Sequence, residues 1–384
     1  MRASLGTVLR EWGRIGVVGF GGPPAHVALL RDLMVRHRRW MDARAFEDAN
    51  AACGLLPGPA STQLAIFCAR HVAGTRGALV GGLAFILPGL AAILLLAAVS
   101  LAQAPPAWVR GVGAGAGAAV VAVVMQAGLA LGRASLTDRR GARLARAGAY
   151  VAAGAMGTVL GALTVVVALL GAGMVELGVR RRARRSTTGR LTVQAGPVAL
   201  LLAVTGAAAL PALAWTAFKV GALSYGGGLV IIPLMQADAV DVHAWMTDAQ
   251  FLNAVALGQL TPGPVVQTVA VVGYAAAGLG GALVAALIAF SPSFLVVLLG
   301  GTRFEALRNH PGARAFLDGA GPSAVGAILG AVVPLAGAIA AAWQVALLGA
   351  AALVLASGRA GVVAVLAGAG AVGALAGLTG APLP

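Results

Sequence analysis

Long apolar runs dominate the chain from about residue 50 onwards. About 20 consecutive apolar residues are needed for one helix to cross a bilayer. The pattern therefore predicts an all-α polytopic membrane protein. Four runs have the length of a single crossing, and they lie at 78–102, 107–132, 280–300 and 318–342.

Two further apolar tracts, 144–178 and 345–380, are longer than one crossing requires. Each has a weak break near its middle, from Gly157 to Gly161 and from Ser357 to Arg359. We therefore expect each tract to form a pair of short helices. Residues 198–212 are expected to form one more short span.

Four short segments interrupt the apolar pattern: "GFGGPP" at 19–24, "LPGP" at 56–59, "YGGG" at 225–228 and "TPGP" at 261–264. Proline removes a backbone donor and glycine resists helix, so a continuous helix cannot pass. Non-helical backbone at membrane depth is tolerated only where it is buried in protein or lines a water-filled cavity. We therefore predict discontinuous or re-entrant helices at the Gly-Gly and Pro-Gly-Pro motifs. The alternative is that all four segments belong to full spans.

The interrupted segments belong to an internal repeat. Residues 14–65 align with 219–270 at a constant offset of 205, without a gap. The offset places Trp40 on Trp245 and one Pro-Gly-Pro motif on the other. Chance matching of abundant glycine and alanine does not produce these pairs.

The repeat continues beyond the motifs, because an offset of 204 matches Pro88 with Pro292. The chain is therefore expected to consist of two repeats, an N-terminal one over 1–190 and a C-terminal one over 195–384.

Arginine placement predicts the orientation of the two repeats. In the first, 133–146 carries five arginines and 180–190 carries six. Arginine-rich loops of membrane proteins are usually cytoplasmic. In the second repeat the bias moves to 301–314, with three arginines, whereas 273–279 and 343–345 have none. Equivalent loops then face opposite sides, which is the inverted-topology design of many secondary transporters.

The charges of two more loops favour re-entry over full spans. If the Pro-Gly-Pro segments were complete crossings, loop 31–44, with five arginines, would be extracellular. Its counterpart 237–248, with three aspartates, would be cytoplasmic. Both placements oppose the positive-inside rule, and re-entrant hairpins remove the conflict.

Composition excludes several classes of function. The 384 residues carry a net charge of +15 although only 10% are charged. A basic chain can bind nucleic acid, but short cytoplasmic loops explain this excess, so we expect no nucleic-acid partner. Residues 1–15 lack the apolar core of a cleaved signal peptide. Cys53 and Cys68 are too few for a metal cluster and are expected to pack as small apolar residues.

The sequence also lacks the motifs of nucleotide-driven or enzymatic chemistry. It contains no Walker A motif, no dinucleotide-binding fingerprint and no HExxH or GxSxG motif. We therefore expect no enzyme activity, no cofactor and no metal, and transport driven by a gradient.

A helix that restarts after Pro-Gly-Pro predicts an anion site. Its first turn carries free backbone N–H groups and the positive end of the helix dipole, and such termini bind anions. Polar side chains follow in the same turn. The candidate substrate-binding residues from the four motifs and their first turns are Gly21, Gly22, Pro57, Gly58, Pro59, Ser61, Thr62, Gln63, Tyr225, Gly226, Gly227, Pro262, Gly263, Pro264, Gln267 and Thr268.

Two basic residues complete the candidate site. Arg14 and Lys219 coincide at the 205 offset, and each precedes its Gly-Gly motif by seven residues. A charge within a membrane segment is a candidate functional residue. The alternative is that each side chain reaches the membrane interface as an anchor.

Three other titratable residues are candidates for a proton relay: His26, Glu47 and Asp48. The alternative for His26 is a packing role. At the 205 offset Glu47 meets Leu252 and Asp48 meets Asn253, so the repeat does not keep their charge.

The motifs resemble those of a known family. "FGGPPAHVALLRDLMV", "RRWMD" and "LLPGPASTQLAI" are similar to the first half of chromate ion transporters, the CHR family. "SYGGGLVIIPLMQADAV", "WMTDAQFLNA" and "TPGPVVQTVA" resemble the second half. The resemblance covers essentially the whole chain in its long, two-half form. It implies efflux of chromate by a multi-pass protein of the bacterial inner membrane, and chromate resistance.

Three functions remain open from the residues alone. The first is export of chromate or a similar divalent oxyanion, with proton coupling and a homodimer as further candidates. A negative interior favours export, by about 2.3 kcal/mol per charge per 100 mV. The second is an uptake carrier or channel for sulfate or another oxyanion. The third is a membrane scaffold without transport.

Overall fold

The computed structural model describes residues 3–56, 58–137, 139–184, 209–224, 228–300 and 310–383. Within these ranges the chain forms fourteen α-helices and no strand. Five helical segments are long and apolar enough to cross a membrane: Ala60–Ser100, Ala107–Leu136, Leu163–Arg182, Val265–Gly300 and Pro311–Gly337. The predicted all-α polytopic membrane protein is thereby confirmed.

The first half contributes seven helices. They are α1 (Leu5–Val18), α2 (Pro23–Arg31), α3 (Ala43–Leu55), α4 (Ala60–Ser100), α5 (Ala107–Leu136), α6 (Ala142–Leu160) and α7 (Ala162–Arg184), with a π-helical turn at Asp32–His37 after α2.

The second half contributes seven more. They are α8 (Ala209–Leu223), α9 (Ile231–Gln236), α10 (Asp248–Leu260), α11 (Thr268–Gly300), α12 (Pro311–Gly337), α13 (Ala342–Ala356) and α14 (Val362–Leu378), with a π-helical turn at Ala237–Val242 and a 3₁₀ turn at Val265–Gln267.

The two long apolar tracts each divide into two helices, as predicted, but α7, with 23 residues, is not the short helix that was expected. The first tract divides into α6 and α7 at Gly161, whose φ of 110° suits glycine. The second divides into α13 and α14 around Gly358, with φ of 66°. The span predicted at 198–212 falls mainly outside the described residues.

The spans predicted at 78–102 and 280–300 correspond to the parts of α4 and α11 that follow a sharp bend. Helical structure starts directly after each Pro-Gly-Pro motif, at Ala60 and Val265, and the chain then bends sharply at Ala73–Gly74 and Ala277–Gly278. A β-carbon added to Gly273 would lie 2.6 Å from the carbonyl oxygen of Gly281. Eight residues of straight helix would separate them by about 12 Å, so each bend is a hairpin.

Backbone features recur at the repeat offset. The π-helical turns at Asp32–His37 and Ala237–Val242 are 205 residues apart. Each is followed by a left-handed residue other than glycine, Arg39 with φ of 51° and Ala244 with φ of 49°. α3 and α10 then begin behind side-chain caps, Asp42 and Thr247.

The halves are interlocked. α5 packs mainly against α13 and α14 of the second half, whereas α12 packs mainly against α6 and α7 of the first. α5 and α12 also contact each other, with Gly132 facing Val325 and Arg139 hydrogen-bonded to Asp318. Residue numbers rise along one helix as they fall along the other, so α5 and α12 run antiparallel. The apolar core is shared by both halves.

Candidate functional site

The first Pro-Gly-Pro motif is a buried break between α3 and α4. α3 ends at Leu55, Gly58 has a φ of 119°, and α4 begins at Ala60 behind Pro59. No side chain caps the start of α4, so the free N–H groups of its first turn are left for another partner. Pro57 lies outside the described residues.

The second Pro-Gly-Pro motif has the same construction. α10 ends at Leu260, Gly263 has a φ of 98°, and the 3₁₀ turn that leads into α11 starts behind Pro264. Again no side chain caps the new helical segment. Pro262, Gly263 and Pro264 are all buried.

Each break is closed by a helix from the other half. Gly89 of α4 lies against the backbone carbonyl of Pro262, and Ser293 of α11 lies against Gly58. A β-carbon on Gly58 would be 3.2 Å from the Ser293 hydroxyl oxygen. Gly89 and Ser293 are equivalent at the 204 offset. The Pro-Gly-Pro motif of each half therefore contacts the same position of the other half. The breaks therefore lie inside the protein, between the halves.

The first Gly-Gly motif joins this region. Gly21 and Gly22 have φ values of 97° and 73°, and α2 starts directly after them with two prolines. The carbonyl of the preceding Gly19 accepts a hydrogen bond of 3.0 Å from the Gly263 N–H of the opposite half. Tyr225, Gly226 and Gly227 of the second Gly-Gly motif lie outside the described residues.

His26 connects the first Gly-Gly motif to the start of α4. Its Nε2 is 2.9 Å from the Gly19 carbonyl oxygen and its Nδ1 is 3.2 Å from the Ser61 hydroxyl oxygen. A carbonyl only accepts, so Nε2 carries a proton. In the neutral imidazole Nδ1 then accepts the Ser61 hydroxyl proton.

Three buried hydroxyl groups near the breaks have no hydrogen-bond partner among the described residues: Thr62, Ser224 and Ser293. Ser224 lies 3.7 Å from the position of a β-carbon on Gly228, in the remaining part of the second glycine motif. Buried polar groups in native proteins nearly always have a partner. These hydroxyls therefore indicate a place for water or a ligand.

Other predicted donors are used within the protein. The Gln267 amide donates to the Thr261 hydroxyl and to the Pro262 carbonyl, each at 2.8 Å, and Thr268 donates to the Val265 carbonyl. Gln63 lies against Gly58. The two glutamines shape the breaks, while Thr62 keeps a free hydroxyl.

The two predicted cations lie in different environments. Lys219 is buried, with its Nζ 2.5 Å from the Asp238 carboxylate. The Thr216 hydroxyl donates to the same carboxylate oxygen at 2.7 Å. Arg14, by contrast, is exposed on α1. Arg14 and Lys219 were predicted to have equivalent positions in one site, but their surroundings differ.

Sequence reasoning missed Asp238 because this residue was counted as part of the loop 237–248. A signal existed: a charge within an apolar segment usually has a partner of opposite sign. The π-helical turn places Asp238 on the buried side, where Lys219 reaches it.

The three relay candidates are not gathered in one place. His26 is fully buried at the breaks. Glu47 is exposed on α3 and forms a surface ion pair with Arg31 at 2.8 Å, and Asp48 is exposed beside it. His26 contacts the start of α4 through Ser61. No group of residues that could hold a metal ion occurs in the described part of the chain.

The fold and the paired breaks define a multi-pass, all-α membrane protein with a polar site between two interlocked halves. The chain belongs to the chromate transporter family, whose model matches residues 6–177 and 211–374.

Similar proteins carry the same description. The chromate transport protein of Cupriavidus metallidurans is 32% identical over 84% of this chain and 80% of its own length. The probable chromate transport protein of Synechococcus elongatus is 30% identical over 84% of this chain and 82% of its own. The chromate transport protein of Pseudomonas aeruginosa is 31% identical over 84% and 79%, respectively. No solved structure matches the chain significantly.

Proposed function

We propose that this protein is a secondary transporter that exports chromate from the cytoplasm across the bacterial inner membrane and thereby confers chromate resistance. The observation that carries the proposal is the pair of uncapped helix starts at Ala60 and Val265, buried between the halves and closed crosswise by Gly89 and Ser293. Family membership supports the choice of substrate.

The two repeats, 1–190 and 195–384, are proposed to have inverted topology. α5 and α12 are equivalent at the 205 offset and run antiparallel. Repeats related by an axis along the membrane normal would keep equivalent helices parallel. The antiparallel run instead fits an axis in the membrane plane, as in many secondary transporters.

The Pro-Gly-Pro segments are proposed to be re-entrant hairpins. α3 and the helical stretch from Ala60 to the bend at Ala73–Gly74 are each about 13 residues long. At 1.5 Å per residue each spans about 20 Å, which is less than the roughly 30 Å hydrocarbon core. Two such helices, each shorter than the core, are proposed to reverse the chain at the motif within the bilayer.

The anion is proposed to bind at the two helix starts and at the free hydroxyls near them. Thr62, Ser224 and Ser293 donate to its oxygens, together with backbone N–H groups at the starts of α4 and α11. The glycines and prolines at 21–22, 58–59 and 262–264 are proposed to keep the backbone open for this contact.

Two helix termini supply only about half a positive charge each, so a dianion needs a full cation as well. Lys219 is proposed to supply it, and Asp238 compensates the lysine while the site is empty. Arg14 is proposed to contribute only from the periphery, because its side chain is exposed.

Proton coupling is proposed to run through His26. When the imidazole is protonated, Nδ1 becomes a donor to Ser61. The Ser61 hydroxyl proton is then free to turn towards the anion. Protonation and anion binding would thus favour each other.

Uptake of labelled chromate into inside-out membrane vesicles tests the proposal, because export from the cell is uptake in such vesicles. We expect uptake that depends on an imposed gradient and on this protein. Vesicles without the protein are the control. Accumulation only in right-side-out vesicles would indicate import, and preferential accumulation of sulfate would reassign the substrate.

A further inference from the structure

A second polar site lies away from the breaks, at the arginine-rich end of the molecule. It is a cavity of about 420 Å³ at the ends of three spanning helices, α5, α7 and α12. Its charged lining comes from both halves and consists of Arg139, Arg143, Glu176, Arg180 and Asp318.

Two carboxylates fix the arginines in its wall. Glu176, which is buried, pairs with Arg146 and with Arg180, each at 3.0 Å. Asp318 pairs with Arg180 at 2.5 Å and with Arg139 at 3.7 Å. A carboxylate that holds two arginines leaves part of each guanidinium available, because one guanidinium carries five N–H donors.

Arg143 differs from the other arginines in the wall. It is exposed at the start of α6, and no carboxylate of the described residues lies within ion-pair distance of it. The lining has three arginines and two carboxylates. The described wall therefore has an excess of positive charge.

The position and size of the cavity indicate what it binds. It lies where α7, an apolar span that includes Leu163–Arg182, reaches its charged end. Met174 and Val175, just before Glu176, are about half exposed, at 49% and 53%. Basic pockets between spanning helices bind phosphate-containing headgroups. A free tetrahedral oxyanion would fill only a small part of this volume.

We propose that this cavity binds the phosphate of an anionic lipid headgroup, with the acyl chains along the exposed apolar side of α7. Arg143 makes the ion pair that the wall lacks, and Arg139 and Arg180 contribute their remaining N–H donors. The lipid would then bridge the first half to α12 of the second.

Native mass spectrometry of the purified protein with phosphatidylglycerol tests this site. Arg143→Ala is compared with Arg140→Ala, an exposed neighbour of equal charge outside the cavity. We expect about fivefold weaker lipid binding for Arg143→Ala, since one arginine near an anionic surface contributes about 1 kcal/mol. Arg140→Ala should bind as the wild type does. Size-exclusion profiles check that both variants are folded.

Three results would overturn the proposal. Equal binding by the wild type and Arg143→Ala would remove the cavity from lipid recognition. Equal weakening by both variants would indicate general surface charge. If calorimetry shows binding of inorganic phosphate that depends on Arg143 while phosphatidylglycerol binding does not, the site belongs to a free oxyanion instead.

Discussion

The two halves have similar backbone conformations at equivalent positions but differ in the charged groups around them. The first half places His26 against its Pro-Gly-Pro helix through Ser61. At the 205 offset the second half has Ile231 and Val266 in these positions. The second half has a buried ion pair between Lys219 of its first helix and Asp238, where the first half has the exposed Arg14 and the buried Leu33.

In each half an ion pair joins the first helix to the π-helical region. The first helix carries the negative charge in the first half and the positive charge in the second. In the first half Glu11 of α1 holds Arg38 at 2.5 Å. In the second, Lys219 of α8 holds Asp238. The Arg38 side chain is 33% exposed, whereas those of Lys219 and Asp238 are 10% and 6% exposed. Equivalent positions of the two halves thus differ: the first half has the buried imidazole of His26, and the second has the buried Lys219–Asp238 pair.

The largest expected effect is at Lys219. In Lys219→Ala, Asp238 is left as an unpaired buried charge, which costs about 3–5 kcal/mol. We expect loss of both transport and stability, measured by vesicle uptake and by thermal unfolding. Lys219→Arg should keep part of the activity, because the charge survives in a different geometry.

The double variant Lys219→Ala/Asp238→Ala separates the two roles of this pair. Without either charge the protein should regain most of its stability and still fail to transport chromate. Wild-type uptake by the double variant would show that no cation from this pair holds the anion.

Removing the Ser293 hydroxyl, which lies against Gly58 at the first Pro-Gly-Pro break, should have the next largest effect. Ser293→Ala removes a donor to a charged ligand, which contributes about 1.5–3 kcal/mol. We expect KM for chromate to rise roughly 10- to 100-fold in vesicle uptake. Ser291→Ala is the matched control, since its hydroxyl is already bonded to the Ile288 carbonyl. An equal change in both variants would assign the effect to the helix.

His26 should control the pH dependence of chromate affinity. If His26 couples protonation to anion binding, chromate affinity should fall as pH rises through the titration of the imidazole. His26→Gln keeps hydrogen-bonding capacity without titration, so its affinity should vary less. Comparing both proteins at each pH cancels the titration of chromate itself. Identical pH profiles would remove His26 from coupling.

The smallest effect is expected at Arg14. Its side chain is exposed and its charge is solvated or lies at the membrane interface, so Arg14→Ala should change stability within about 0.5 kcal/mol. We expect less than a threefold change in chromate uptake at equal protein level. A loss as large as that of Lys219→Ala would restore the two cations to equivalent roles.

Much of the secondary structure could be predicted from the sequence. Proline and glycine mark the breaks at 57–59 and 262–264 and the divisions of the long apolar tracts, because their local chemistry excludes continuous helix. The loop predicted at 273–279 contains the bend at Ala277–Gly278, and the span predicted from residue 78 begins just after the bend at Ala73–Gly74. A single glycine in an apolar run is common in membrane helices, and the packing of Gly273 on Gly281 shows that the chain reverses there.

The sequence by itself determined that this is an all-α membrane protein with a repeated framework and two uncapped helix starts, since these follow from hydrophobic length and from backbone chemistry. Tertiary structure alone decided that Gly89 and Ser293 close the breaks crosswise, that Asp238 neutralises Lys219 and that Arg14 is exposed. These contacts join residues from distant parts of the chain. No local pattern encodes such contacts, because they depend on how the two interlocked halves pack.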